Sequence, residues 1–189
     1  LFVHQKIHDK VVEGIAAIAK SMKLGPGLDP SSEFGPLISA KQRDRVAGFV
    51  EAGKREGGEL VCGGTSPNRP GYFFEPTVLT HMSSEMTPVK NEIFGPVLCV
   101  QTFGDDDLDR IAREANSTIY GLSGSVWTRD LGIAMQMVRK IDSGQVSVNM
   151  HAAIDPAMPF GGNKQSGWGR EFGKEGLEPY LKTKGISMT

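Results

Sequence analysis

Val97-Leu98-Cys99-Val100-Gln101-Thr102-Phe103 reads as a strand, mostly apolar and covered on both faces. Asp105 follows, placed to cap a helix whose stripe carries Leu108, Ile111, Ala112 and Ala115. Ser123 to Trp127 is the next strand. Leu131, Ala134, Met135, Val138 and Ile141 form a second helical stripe, and Gln145 to Asn149 is a further strand. The order strand, helix, strand, helix, strand predicts an α/β fold: a largely parallel open sheet flanked by helices, with right-handed crossovers.

Upstream, Ile7, Val11, Ile15, Ile18 and Met22 recur at helical spacing and predict a helix from about His8 to Met22, ended by Gly25-Pro26-Gly27. Ser39 and Gln42 match a capping box for a second helix burying Val46, Phe49 and Val50. Glu59 to Cys62 is a short strand. Tyr72 to Leu79 is extended but interrupted by Pro76, which predicts an edge strand or a connector. Past Asn149 come a Gly/Pro-rich loop, a short helix from Lys174 to Leu181 and a last strand, Gly185 to Thr189. That strand has no evident partner in the chain, so pairing with a second copy is expected. No boundary inside residues 1–182 invites a split. The organisation expected is one catalytic-domain segment, 1–182, followed by an oligomerisation strand, 183–189.

Composition narrows the function. The 189 residues carry 21 Lys and Arg against 22 Asp and Glu, a net charge of -1, which argues against a nucleic-acid binder. Hydrophobic residues at 39% are enough for a core. Apolar runs are short and no signal-peptide core is visible, so no membrane association is expected. Two cysteines make neither a disulfide framework nor a metal cluster, and a reducing, cytoplasmic compartment is the expectation. His4, His8, His81 and His151 lack zinc-ligand spacing. Asn116-Ser117-Thr118 matches a glycosylation sequon without the secretion signal that would make it one. Glycine, at 24 residues, is over-represented and requires many tight backbone turns.

Two stretches could carry chemistry. Phe160-Gly161-Gly162-Asn163-Lys164-Gln165-Ser166-Gly167-Trp168-Gly169-Arg170-Glu171 has the composition of a phosphate cradle, but its glycines and Lys164 fit neither the P-loop nor the dinucleotide spacing. A surface loop with glycines at positive φ is the plainer reading. In Glu92-Ile93-Phe94-Gly95-Pro96 a carboxylate and an aromatic lie two residues apart and can face one cleft. A carboxylate accepts two hydroxyl hydrogen bonds, as a ribose diol offers. On pattern alone, a core phenylalanine and a solvated glutamate are the favoured reading. Cys62, before Gly-Gly, and Cys99, mid-strand, lack the setting of an activated thiolate.

These stretches carry a resemblance. Asn91-Glu92-Ile93-Phe94-Gly95-Pro96-Val97 resembles the Glu-Ile-Phe-Gly-Pro-Val motif of the aldehyde dehydrogenase superfamily. Asn116-Ser117-Thr118-Ile119-Tyr120-Gly121-Leu122 resembles its Asn-x-x-x-Tyr-Gly-Leu turn, and Pro159-Phe160-Gly161-Gly162 through Glu171 its C-terminal signature. The three occur in the family's order, and the likeness covers the chain from Leu1 to Thr189.

The resemblance implies an NAD(P)-dependent oxidation of an aldehyde to a carboxylic acid through a cysteine thioester, by a homo-oligomer. NAD and NADP are both compatible with it. It implies that Glu92 binds the nicotinamide-side ribose, that Phe94 packs near the nicotinamide ring, and that Phe160 walls the aldehyde tunnel. Asn149 and the loop His151 to Met158 match the region shaping the substrate pocket, and Glu171 matches a carboxylate that relays protons behind the general base in some members. The mostly apolar loop residues Ala152, Ala153, Ile154, Ala157 and Met158 favour an aliphatic or aromatic aldehyde. The nucleophilic cysteine, the base, the oxyanion asparagine and the nucleotide-binding fold have no match. Leu1-Phe2-Val3 reads as a strand already under way, so a piece of a longer polypeptide, beginning just after the nucleophile, is expected. Asn163 stands where an aromatic is more common. The alternative function is a non-catalytic oligomerisation or scaffold fragment.

Overall fold

A computed structural model describes residues 1–105, 107–151 and 154–189. These form two compact units, Leu1–Asp107 and Leu108–Thr189, a division that no loop composition announces.

The first unit runs β1 (Phe2–His4), a 3-10 turn, α1 (His8–Ser21), α2 (Ala40–Arg55), β2 (Glu59–Cys62), β3 (Thr77–Thr80), α3 (Thr87–Lys90), β4 (Val97–Cys99) and β5 (Gln101–Phe103). Helix α1 forms where its periodicity predicts, but its buried face is turned by one position. Val12 and Ala16 are buried with Val3, Cys62, Val78 and Val100, whereas Ile7, Ile18 and Met22 are exposed. Helix α2 sinks Val46 and Val50 into a second cluster with Phe74, Leu79, Met82 and Ile93. Ser39 Oγ accepts the Gln42 amide at 3.2 Å, so the N-cap forms. The reciprocal half of the capping box does not, because the Gln42 side chain is used elsewhere.

Strand β3 is the centre of a three-stranded sheet, antiparallel to β2 and parallel to β4, with all four residues buried. It is neither an edge nor a connector. Pro76 sits immediately before it, where a missing N–H breaks no ladder bond. The run Val97 to Phe103 is not one strand. It divides at the fully buried Val100: β4 pairs with β3 (Val97 opposite Thr77) and β5 pairs in parallel with β1 (Gln101 opposite Phe2). Val100 donates its N–H to Leu79 and accepts from Met82, which holds the crossover between the sheets. Asp105 is engaged by Lys6 Nζ at 2.7 Å and His4 Nε2 at 2.9 Å instead of capping the next helix.

The second unit contains α4 (Leu108–Ala115), β6 (Ser123–Val126), α5 (Leu131–Lys140) and β7 (Gln145–Val148). β6 and β7 pair in parallel, Ser123 opposite Gln145 through Val126 opposite Val148. Asp130 Oδ1 accepts from Ile133 N at 2.9 Å and caps α5. Lys174 to Leu181 is a 3-10 helix over Glu175–Tyr180. The expected strand Gly185 to Thr189 is absent: residues 182–189 form no ladder, and Ile186 and Met188 are exposed. A strand needs a neighbour at hydrogen-bonding distance, and among the described residues none is offered. The fold is the expected α/β type, with parallel pairing flanked by helices; among the described residues the strands fall into three small sheets, every pair parallel except β2 with β3. No helix among the described residues is long and apolar enough to cross a membrane.

Leu79→Ala removes a fully buried side chain from the central strand and leaves a cavity in the cluster it shares with Val46, Val50 and Phe74. It should cost about 2–5 kcal/mol, read as a lower urea midpoint at unchanged slope. Acid should also destabilise the chain. Asp105 is held below the usual 3.8 first by the Lys6 hydrogen bond, and Asp109 likewise by Lys140. Glu56 is held below 4.5 by the Thr87 hydroxyl and amide. Folded values depressed below unfolded ones give stability that is present above the unfolded value and lost as pH falls through the folded one. The urea midpoint should therefore decline below the ordinary carboxylate range, and Asp105→Asn should shallow that decline.

Candidate functional site

The Glu92–Gly95 turn lies between α3 and β4, and helix α2 holds it in place. Gln42 Nε2 donates to the carbonyls of Ile93 (2.9 Å) and Phe94 (2.8 Å). Arg45 Nη1 donates to Ile93 O (3.0 Å) and Nη2 to Glu92 O (2.9 Å), with its guanidinium 4.8 Å from the centroid of the Phe49 ring. Ile93 is buried among Val46, Leu79 and Met82. Gly95 lies so close to Val46 that a Cβ there would overlap its methyl groups. The Pro96 carbonyl accepts from Thr77 N at 2.7 Å, which starts the β3–β4 register.

This anchoring leaves two side chains outside. Phe94 is 73% exposed and has a left-handed φ of 51°; Glu92 is exposed beside it. The expectation of a core phenylalanine from pattern alone is therefore wrong: the core residue is Ile93, which packs into the Val46–Leu79 cluster, while the left-handed turn at Phe94 leaves its ring outside. Glu92 and Phe94 line one cleft of about 380 Å³, together with Val89, Val97 and Gln101. Such a cleft presents two carboxylate oxygens to hydroxyls and a flat ring face to a planar group.

Cys99 is on the wall of the same cleft, where burial pushes its thiol up, against the direction a nucleophile needs. Cys62 is buried and, like Cys99, unpaired. Among the described residues no group of His, Cys, Asp and Glu could hold a metal ion.

In the second unit, Phe160 and Glu171 are brought together by an antiparallel bridge, N–H to O at 2.8 and 2.7 Å. The backbone makes this contact. Phe160 is half-buried and the Glu171 side chain is exposed. Asn149 ends β7 with φ 55°, its Oδ1 accepting from Thr128 N and its Nδ2 donating to Thr128 O, both at 2.9 Å. Both polar ends of that amide are committed to tying the β7 end to the β6 end. Of the loop His151 to Met158, Ala152 and Ala153 lie outside the described residues.

The two cations of the Gly-rich loop, Lys164 and Arg170, are structural. Lys164 Nζ donates to the carbonyls of Asn116 (2.9 Å) and Thr118 (3.3 Å). Ser166 Oγ accepts from Gly121 N at 3.0 Å. Arg170 donates to Gly162 O, Gly169 O and Asn163 Oδ1 at 2.7–3.0 Å. Asn163, the departure from the family pattern, also donates to Asp142 at 3.1 Å, so an amide bridge occupies that position. The Asn116 side chain joins Lys140 O and Asp142 N, which commits the sequon residue to holding α5's end.

Sequence reading missed Gln42 and Arg45. An amide and a guanidinium three residues apart on one helix face were a visible signal. Their acceptors lie some 50 residues downstream, however, and the capping-box match had already accounted for Gln42.

Comparison with known proteins places these features. The sequence profile of the aldehyde dehydrogenase family matches residues 1–186. Cytosolic 10-formyltetrahydrofolate dehydrogenase of Xenopus laevis is 41% identical over 188 residues, 100% of this chain and 21% of that protein. A mitochondrial aldehyde dehydrogenase of Leishmania tarentolae is 40% identical over 186 residues, 98% of this chain and 37% of that protein. The structure of Staphylococcus aureus betaine aldehyde dehydrogenase in complex with NAD+ matches with a TM-score of 0.90 at 40% identity, covering 97% of this chain and 37% of that one. An NAD+ complex of aldehyde dehydrogenase from Bacillus cereus gives 0.90 at 41%, covering 96% and 36%. The chain thus spans between about a fifth and two fifths of these relatives, and with its three motifs in order it belongs to the aldehyde dehydrogenase family.

Proposed function

We propose that this chain is the distal part of the catalytic domain of an NAD(P)-dependent aldehyde dehydrogenase. The enzyme oxidises an aldehyde, with water, to a carboxylic acid through a cysteine thioester. The thiolate, the general base and the pyrophosphate-binding fold come from segments outside these residues. The observation that carries the reading is the pairing of an exposed carboxylate and an exposed aromatic on one cleft, on a turn fixed from behind. Relatives of the same family are solved with NAD+, which supports the cofactor class.

The donor set fits the group. Glu92 accepts the two hydroxyls of the nicotinamide-side ribose. Phe94 packs against the flat ring and limits its orientations, which favours the reactive one. When bound, the dinucleotide supplies the hydride acceptor. Phe160 forms an apolar wall that keeps water off the reacting carbonyl carbon, and Glu171 relays a proton behind the general base, a role its exposed carboxylate supports. Asn149 acts on the substrate indirectly, by fixing where the loop after β7 begins. The substrate class is an aliphatic or aromatic aldehyde, and the assembled enzyme is a homo-oligomer in which residues 183–189 pair with a second copy.

Taken alone, the 189 residues read as a non-catalytic oligomerisation or scaffold piece, because neither the buried Cys62 nor Cys99, whose thiol burial pushes up, has the setting of an activated nucleophile. The chain alone should form no NAD(P)H with a panel of aldehydes. Turnover that disappears on mutating Cys62 or Cys99 would overturn this. In the enzyme that contains the chain, Glu92→Gln keeps the shape but weakens acceptance of two hydroxyls. It should cost about 1–3 kcal/mol in kcat/KM for the cofactor. Unchanged kcat and cofactor KM would reject the role of Glu92.

A further inference from the structure

The end of β1 is tied to the end of β5 by side chains as well as by register. His4 stands opposite Phe103, and the two rings meet edge to face with centroids 5.1 Å apart. Both nitrogens of the imidazole are in use. Nδ1 accepts the Lys6 N–H at 3.2 Å and so caps the 3-10 turn Gln5–Ile7 between β1 and α1. Nε2 lies 2.9 Å from Asp105 Oδ1, on a carboxylate that Lys6 Nζ also holds at 2.7 Å. The charged groups facing His4 are thus Lys6, from the turn, and Asp105, from the segment after β5. These partners fix where the proton sits. A backbone N–H only donates and an ionised carboxylate only accepts, so neutral His4 carries its proton on Nε2 and none on Nδ1. That form satisfies both contacts at once. The imidazolium has an N–H on each nitrogen: it keeps the bond to Asp105 but sets Nδ1–H against the Lys6 N–H, donor facing donor.

Two other histidines of the same unit accommodate a proton without such a conflict. His8 is bracketed by Asp9 Oδ1 and the Thr80 hydroxyl, both at 2.9 Å, and a hydroxyl can turn from donor to acceptor. His81 meets the Glu59 carboxylate at 3.3 Å. We propose that His4 is a proton-operated latch: neutral, it caps the turn that joins β1 to α1; protonated, it stays bound to Asp105 and releases the Lys6 amide, so the turn opens. The β1–β5 register and the core contacts of α1, where Val12 and Ala16 pack with Val3, do not depend on that cap and persist. Histidine is the side chain that ordinarily changes charge between about pH 5 and 8, so the junction responds while the carboxylates of the fold are still ionised. The latch is independent of the cofactor reading of Glu92 and Phe94.

Nuclear magnetic resonance of the isotope-labelled chain tests it. At the upper end of that range the His4 ring nitrogens should report the Nε2–H tautomer. On acidification the protection of the Lys6 amide against hydrogen exchange, corrected for the intrinsic rate, should fall about fivefold, as expected for one lost cap. The fall should track the His4 ring titration, and the Val12 amide should not follow it. His4→Gln, which cannot titrate, should make Lys6 protection independent of pH, and His8→Gln should keep the wild-type response. An Nδ1–H tautomer in neutral His4, or Lys6 protection that does not follow the His4 titration, would overturn the latch, and both are read in the wild-type chain. A response that survives in His4→Gln, or disappears in His8→Gln, would assign it to another group and overturn the latch as well.

Discussion

Three consecutive carbonyls, those of Glu92, Ile93 and Phe94, end on side chains of α2, and the first unit is arranged around that attachment. Main-chain oxygens at a turn between a helix and a strand have no ladder to join, and an unpaired one out of reach of water costs about 1–3 kcal/mol. Here the helix supplies the donors. The same helix places Val46 under Gly95, and its Val50 packs with Leu79 of the central strand, so helix, turn and sheet share one set of contacts. Two residues past the glycine, β4 enters in register with β3. Glycine is required at that point because the backbone, not a side chain, meets the core.

How far this could be read from sequence depends on the range of the interaction concerned. Local signals held: the 3.6 periodicity located α1, α2 and α5, Ser39 capped α2, and the second unit's β–α–β order gave a parallel pair. Signals that depend on a distant partner did not. Asp105 looked like a cap because a cap is the nearest use for it, yet Lys6 and His4, about 100 residues away, engage it. Val97 to Phe103 looked like one strand because apolar continuity carries no information on which neighbour each half will find. Gly185 to Thr189 has a strand's pattern and no ladder, since pattern permits pairing without supplying a partner.

The Gly-rich stretch shows the opposite case, where chemistry-bearing residue types are used structurally. Lys164 and Ser166 terminate two carbonyls and an amide of the Asn116–Leu122 turn, whereas Arg170 closes on Gly162, Gly169 and Asn163 of its own loop. The two family motifs of the second unit are therefore one interlocked object: Gln165 N donates to Ile119 O, and Asn163 N to Gly121 O. Close approach explains the paired glycines, because a Cβ at Gly162 would lie 2.6 Å from the Ser166 backbone. Spacing that fits neither the P-loop nor the dinucleotide template is what a loop stapled to its neighbour requires. The same loop presents the Phe160–Glu171 bridge, whose backbone is already paired, with Phe160 half-buried and the Glu171 side chain exposed.

Phe94 in the first unit and Asn149 in the second each have a left-handed backbone, and each is held differently. For a non-glycine residue that conformation costs roughly 1–2 kcal/mol, so each must be held. Asn149 holds itself: its own amide closes on Thr128, and the side chain is consumed in doing so. Phenylalanine has no polar atom to do the same, so the holding must come from elsewhere, and Gln42 and Arg45 reach it from another element. Four hydrogen bonds at about 0.5–1.5 kcal/mol each outweigh the strain of one residue. The consequence is a division of labour that a self-anchored turn could not have. The backbone of residues 92–94 is fixed by its neighbours, and the Glu92 and Phe94 side chains stay available to a ligand.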